Sequence, residues 1–476
     1  MSVSVPPVFA PRPPGRVLPT LNEDGSRRWI RPKWAKGDWG ARRRVLAWAL
    51  MLVWLALPHV RVNDRPFVLL DFPTRHFTIF GATFLPTDTI LLMLLLVSGL
   101  IGIFLLTALF GRAWCGWACP QTVWMEFLFR PIERLWEGGE RGSLRMDAEP
   151  DRWHWRRWAK HATYAVIAVF LGNTFLAYFV GTDKVVQWMQ LSPLDHPTPF
   201  VIMALFSGGV FFDFAYFREQ FCLVACPYGR WQSALLDRQS MIVAYDARRG
   251  EPRGKGKARD GLGSCVDCGQ CVAVCPTGID IRNGLQMECV HCTQCMDACD
   301  AVMDKVGQPR GLVRYATRDG LDGKPRRVLR ARTIIYPAAF SLFFGGFLYA
   351  LGTKATADVT FLGAAGAAPY TVEPSGNVVN PVRVKVVNRG ATARRFRVTI
   401  TDAPEATLVA PTLPLAVEAG KSGLAGLFVV LPPSAFTNGV RTVTFRVDDG
   451  EGFTDEVTYR LAGPRRVTAA PTRGTP

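Results

Sequence analysis

Twelve cysteines, all between residues 115 and 299, carry the chemistry that can be read from this chain. Cys265, Cys268 and Cys271 are followed by Cys275-Pro276, and Cys289, Cys292, Cys295 and Cys299 repeat the same x2, x2, x3 spacing. A [4Fe–4S] cubane takes four thiolates. The tight x2 steps wrap three of them around one cluster, and the fourth cysteine of each run reaches the other. The expected sets are Cys265, Cys268, Cys271 and Cys299 for one cluster, and Cys289, Cys292, Cys295 and Cys275 for the second. Zinc sites also use x2 pairs, but eight cysteines in two such runs, one closed by Cys-Pro, favour iron–sulfur clusters. Asp300 replaces the second closing proline and removes no ligand. Two adjacent clusters make an electron wire.

The other four cysteines form two CxxxCP motifs, Cys115–Cys119-Pro120 and Cys222–Cys226-Pro227. An offset of 107 also superposes Phe110 on Phe217, Ala118 on Ala225, Trp124 on Trp231 and Leu128 on Leu235. This pattern predicts a parallel internal repeat that brings both motifs to one face and depth of a membrane. Proline favours the first position of a helix, so Cys119 and Cys226 are expected to be N-caps. There the helix dipole lowers a thiol pKa, and Arg112, Arg218 and Arg230 are near enough in sequence to act the same way. Four converging soft ligands suit Cu(I) or a third metal centre. Each pair could instead cycle between dithiol and disulfide, or be inert packing.

The elements that must position these cysteines follow from composition. Of 476 residues 49% are hydrophobic and 20% charged, with a mean hydropathy of +0.12. That excludes a disordered chain and points to membrane spans. Thr89–Phe110 is the clearest, and His161–Val180, Pro199–Phe217 and Thr333–Leu351 are close to the ~20 residues a crossing needs. Val45–Val60 is a shorter fifth candidate, and the long polar segment before it does not read as a signal peptide. Lys and Arg number 10 in residues 1–44, 9 in 111–160 and 19 in 218–332, against three in 61–88 and one in 181–198. The asymmetry places the N-terminus and the cluster cysteines in the cytoplasm and the chain beyond the fifth span on the other side. The formal charge of +17 is thus a membrane-topology signal, and no nucleic-acid partner is expected. Asp213, inside an apolar stretch, is a functional candidate by default. Paired span histidines for haem b and a GxGxxG nucleotide loop are both missing.

The expected fold class is a multi-domain membrane protein. A basic, disordered N-terminus (1–44) precedes four helices in two repeated hairpins (45–240) and a linker (241–263). An α+β ferredoxin-like 2[4Fe–4S] domain (264–332) and a fifth span (333–351) follow. Residues 355–465 form an all-β immunoglobulin-like sandwich, read from short runs such as Val382–Val387, Phe396–Ile400 and Val443–Val447 separated by turn residues. Residues 466–476 are a disordered tail. Within the linker, Gly250–Gly263 is Gly- and Lys/Arg-rich and reads as flexible, near anionic lipid.

This order of parts resembles the cytochrome c oxidase accessory proteins, the FixG/RdxA/CcoG family of bacterial membrane ferredoxins. The resemblance rests on two CxxxCP motifs, CVDCGQCVAVCPTGIDIRNGLQMECVHCTQCMDACD, a last span and a β-sandwich, and covers residues from roughly 30 to 465. It implies a multi-pass inner-membrane protein with a periplasmic C-terminal domain, needed to assemble a cbb-type haem–copper oxidase. It implies two [4Fe–4S] clusters, a Cu(II) reductase activity and, as partners, copper ions and oxidase assembly factors or subunits. The electron donor is an unidentified cytoplasmic one. The paired CxxxCP motifs themselves, rather than the resemblance, lead to the expectation that copper is reduced at Cys115, Cys119, Cys222 and Cys226. A quinol relay feeding a periplasmic reductase and a non-enzymatic assembly scaffold are the alternatives.

Overall fold

The computed structural model describes residues 16–62, 65–73, 76–80, 82–84, 88–148, 154–256, 260–325, 329–363, 366, 368–390 and 392–464. The chain divides into two units, Met1–Leu348 and Tyr349–Pro476. Residues 1–15 and the tail 466–476, both expected to be disordered, lie outside the described residues.

In the first unit, the helices Thr89–Phe110, Trp155–Val180, Pro197–Phe217 and Ala331–Gly352 are long and apolar enough to cross a membrane. The candidate Val45–Val60 falls within a helix from Asp38 to Ala56 that continues as a 3-10 turn over Leu57–His59. Its first turns carry Asp38, Arg42, Arg43 and Arg44, so the apolar part from Val45 to Ala56 rises only about 18 Å. That is well short of a ~30 Å hydrocarbon core. Leu52 and Val53 nevertheless face outward on it.

Two parts of the domain plan need correction. Residues 16–37 are ordered, not disordered: Lys33 N–H donates to the Ala273 carbonyl (2.9 Å) and Ala35 N–H to Gln294 Oε1 (3.2 Å). The helix that follows is capped from outside its own sequence. Asp297, in the Gln294–Lys305 helix, accepts from Trp39 N–H (3.2 Å) and Gly40 N–H (2.7 Å). The supposed linker also begins as structure. Ile242–Tyr245 is a fully buried strand paired antiparallel with Val313–Ala316, and this ribbon packs on Cys265, Cys271 and Cys289. Of the Gly250–Gly263 stretch, residues 257–259 lie outside the described residues. Its two arms run back to back, Gly263 N–H donating to Pro252 O (2.8 Å) and Gly254 N–H to Cys265 O (3.3 Å).

The second unit is a sandwich of two antiparallel sheets. One contains Ala357–Gly363, Val378–Asn388, Ser422–Leu431, Thr407–Val409 and the short Thr371–Val372; the other contains Leu415–Val417, Arg394–Ile400, Val440–Asp448 and Thr454–Ala462. Inward alternation along Val382, Val384 and Val386 meets Phe361, Phe396 and Phe445, all buried, with Phe361 stacked on Phe445 at 4.3 Å. Asn438 and Gly439 both have positive φ, which is what a tight hairpin turn at that pair requires. Among the described residues none of its side chains is a cysteine.

Candidate electron-transfer centre

The eight ferredoxin cysteines fall into two groups in space. Cys271 interacts electrostatically with both Cys265 and Cys268, and Cys299 joins them through Cys265 and Cys271. Cys275, Cys289, Cys292 and Cys295 form the second group, which touches the first through Cys271 and Cys295. The backbone repeats as well. Asp267 and Gly269 flank Cys268 with positive φ, and His291 and Thr293 flank Cys292 in the same way. Such left-handed residues turn successive backbone N–H groups toward one point, the geometry of an anion-binding nest. Burial pushes the thiols of Cys271, Cys289, Cys292 and Cys299 up to about 12, so proton release must accompany metal binding. Four cysteines per group, largely apolar surroundings and the nest backbone fit a [4Fe–4S] cluster in each, with Cys268 the exposed ligand of the first.

The CxxxCP motifs meet just beyond the ends of the Thr89–Phe110 and Pro197–Phe217 helices. All six pairings among Cys115, Cys119, Cys222 and Cys226 are close enough for each thiol to feel the other's charge. Among the described residues no three His, Cys, Asp or Glu side chains close up around a position for a single metal ion. Cys119 and Cys226 are N-caps, of Pro120–Trp124 and Pro227–Leu235, with extended backbone (φ −62°, ψ 126° and φ −77°, ψ 108°). The repeat extends further than the side chains show. Gly111 and Arg218, again 107 apart, end their membrane helices with nearly the same backbone (φ 60°, ψ −133° and φ 55°, ψ −124°). An arginine tolerates that left-handed conformation because its guanidinium is locked on the buried Glu133.

One expectation about these thiols is reversed. Burial pushes Cys115, Cys119 and Cys222 up, and Arg112 beside Cys115 and the Gln121 and Thr122 N–H groups beside Cys119 offset only part of that. Desolvation of a thiolate outweighs the end of a short helix here. The sulfurs stay protonated until a soft metal displaces the proton.

The contact that matters most joins the two cysteine systems. Cys115 packs with Val290 and Cys292 in one buried cluster, Tyr228 against it. Arg112 N–H donates to His291 Nδ1 (3.2 Å) and its guanidinium to the Met287 carbonyl. Burial and the charge of Arg112 hold the His291 imidazole down at about 3, hence neutral. Arg43, fully buried, donates Nε to Gly116 O (2.9 Å), and Trp117 Nε1 donates to the Tyr315 hydroxyl (3.0 Å). The Cys115 sulfur lies 3.0 Å from Gln232 Oε1 and 3.8 Å from Arg112 Nη2. Sequence reasoning passed over His291, Gln232, Tyr228 and Gly116. The only signal for them was position, two inside a motif and two on the helix that Pro227 opens.

Residues 217–318 match the family model of a 4Fe-4S dicluster domain, and residues 92–138, with Cys115 and Cys119, that of a 4Fe-4S binding domain. Residues 347–464 match the immunoglobulin-like fold found at the C-terminus of FixG. The chain is 33% identical over 482 residues to nitrogen fixation protein FixG of Rhizobium meliloti, covering 89% of this chain and 90% of that one. It is 32% identical to protein RdxA of Cereibacter sphaeroides, covering 87% and 92%. This chain belongs to the FixG/RdxA family. Protein RdxB of Cereibacter sphaeroides, 35% identical over 391 residues, covers 77% of this chain and 81% of its own. A crystal structure of a FixG-related protein from Vibrio parahaemolyticus aligns with a TM-score of 0.21 at 17% identity, over 23% of this chain and 98% of that one. As a FixG/RdxA member with two 4Fe-4S matches and four membrane-length helices, the chain is a membrane iron–sulfur electron-transfer protein.

Proposed function

We propose that this protein is a cupric reductase, which reduces Cu(II) to Cu(I) for assembly of a cbb-type cytochrome c oxidase. The observation that carries the reading is the packing of Cys115 on Cys292, which puts a membrane-edge thiol against a cluster cysteine. Cys265, Cys268, Cys271 and Cys299 hold one cluster, and Cys275, Cys289, Cys292 and Cys295 the other. A [4Fe–4S] centre releases one electron at a time, at a potential tuned by its hydrogen bonds and exposure. Cys115, Cys119, Cys222 and Cys226 receive copper. Each Cu(II) takes one electron, and thiolate ligands favour the soft Cu(I) product. Two of the four sulfurs suffice for a Cu(I) ion, so the wider spread of the set is compatible with this role.

Topology follows by parity. Asp38–Gly40 is held by Asp297 and Arg112 is held beside His291, so both ends of the chain between them meet the same cluster domain. That stretch must cross the membrane an even number of times. With Thr89–Phe110 as one crossing, the proposal takes the short Asp38–Ala56 helix, extended by its Leu57–His59 turn, as the other, for five spans in all. The Lys/Arg asymmetry then puts the N-terminus and clusters in the cytoplasm of a bacterial inner membrane and the C-terminal domain in the periplasm, where it docks oxidase subunits or assembly factors.

A second reading, a third iron–sulfur centre on the same four thiols, is favoured by the 4Fe-4S match over residues 92–138. Iron content separates them: about eight atoms per chain for two cubane clusters, about twelve for three. The functional test is complementation in a host whose own relative is deleted. The intact protein is expected to restore cbb-type oxidase activity and Cys292→Ser to fail, with added ascorbate-reduced copper rescuing the variant. Full restoration by Cys292→Ser without that copper would identify a scaffold instead.

A further inference from the structure

A cavity of about 660 Å³ opens between the Asp38–Ala56, Trp155–Val180 and Pro197–Phe217 helices, within the size range of small-ligand sites. Its walls are apolar and aromatic, with Trp54 and Trp124 meeting edge to face at 5.7 Å. Two polar groups converge on it, Gln121 and Asp213, and buried Asp213 Oδ1 has no hydrogen-bond partner. Gln121 is anchored, its Nε2 donating to the Arg218 carbonyl (3.1 Å). Ala118 and Pro120, the neighbours of Cys119, form the floor. An unpaired carboxylate oxygen in a membrane is costly. Here it lines an apolar slot whose floor residues, Ala118 and Pro120, flank the thiol-bearing Cys119 in the chain.

We infer that this cavity binds an isoprenoid quinol of the membrane, the electron donor of the protein. The Asp213 carboxylate accepts a hydroxyl proton from the quinol ring, and the aromatic walls hold the ring flat. The reaction balances as one quinol and two oxidised clusters giving one quinone, two singly reduced clusters and two protons. One proton goes to Asp213 and the other to bulk water. The redox half of this inference rests on the iron–sulfur reading above; the binding half does not.

The test uses the full-length protein in detergent, titrated with decylubiquinone while tryptophan fluorescence is recorded. Saturable quenching is expected, because Trp54 and Trp124 line the slot. A Cβ at Gly209, on the cavity wall, meets nothing within 4 Å, so Gly209→Leu projects into the slot without moving the backbone. It should weaken binding about tenfold or more. Asp213→Asn should keep binding but slow cluster reduction by decylubiquinol about 100-fold, the scale of a lost proton acceptor. Dithionite should still reduce the clusters in both variants. Absent or unsaturable quenching, quenching displaced by added phospholipid, or binding unchanged in Gly209→Leu would overturn the site and leave an acyl-chain groove. An unchanged rate in Asp213→Asn would overturn the role of that carboxylate. An iron content far below about eight atoms per chain would instead refute the iron–sulfur reading, with quenching still deciding the pocket.

Discussion

Replacing Cys115, Cys119, Cys222 and Cys226 together by serine is expected to abolish copper reduction while the cluster iron stays bound. Serine is close to cysteine in size, and at position 115 its hydroxyl can pair with Gln232, so the packing on Val290 and Cys292 survives. Its hard oxygen holds Cu(I) poorly, whereas sulfur holds it well. The loss should exceed the roughly 10–100-fold that removing a mere orienting partner of a ligand costs. The check is anaerobic Cu(I)-chelator absorbance beside iron content, in the wild type and the quadruple variant. Undiminished activity at unchanged iron content would remove these four residues from the reaction. Iron falling from about twelve to about eight would favour the third-centre reading.

The second large effect is expected at Gly116. A Cβ there would lie 2.6 Å from the carbonyl oxygens of both His291 and Val290. Both are backbone atoms of the loop that presents Cys289 and Cys292, so no side chain can swing aside. Gly116→Ala must push the cluster loop off the membrane edge, at the ~1–3 kcal/mol typical of overpacking, and part Cys115 from Cys292. The expected result is at least tenfold slower electron transfer to copper with all twelve cysteines in place. Gly99→Ala, on the Thr89–Phe110 helix where a Cβ meets nothing within 4 Å, is the matched control and should behave as wild type. Wild-type rates in Gly116→Ala would show that the tight contact is not the electron path.

Much of this arrangement was legible because the relevant signals are local. Four-residue motif steps, long apolar runs and the 107-residue offset are one-dimensional patterns, and the N-caps at Cys119 and Cys226 follow from the prolines after them. What stayed hidden depends on partners far along the chain. Residues 16–37 carry four arginines and two lysines and look unstructured, yet they are held by Ala273 and Gln294. Ile242–Tyr245 is too short to read as a strand without Val313–Ala316, about 70 residues away. The thiol shifts went the other way for a similar reason. A helix dipole can be inferred from sequence, but the desolvation that outweighs it comes from Tyr228, Val290 and their neighbours after folding.

The central claim is that electrons held by the two clusters leave through the membrane-edge thiols onto copper. Its most direct test is anaerobic: reduce the clusters with dithionite, remove the excess, and add Cu(II) while following the reduced-cluster EPR signal and Cu(I)-chelator absorbance together. The account predicts loss of the cluster signal matched one for one by Cu(I). Clusters that stay reduced while no Cu(I) appears would contradict it.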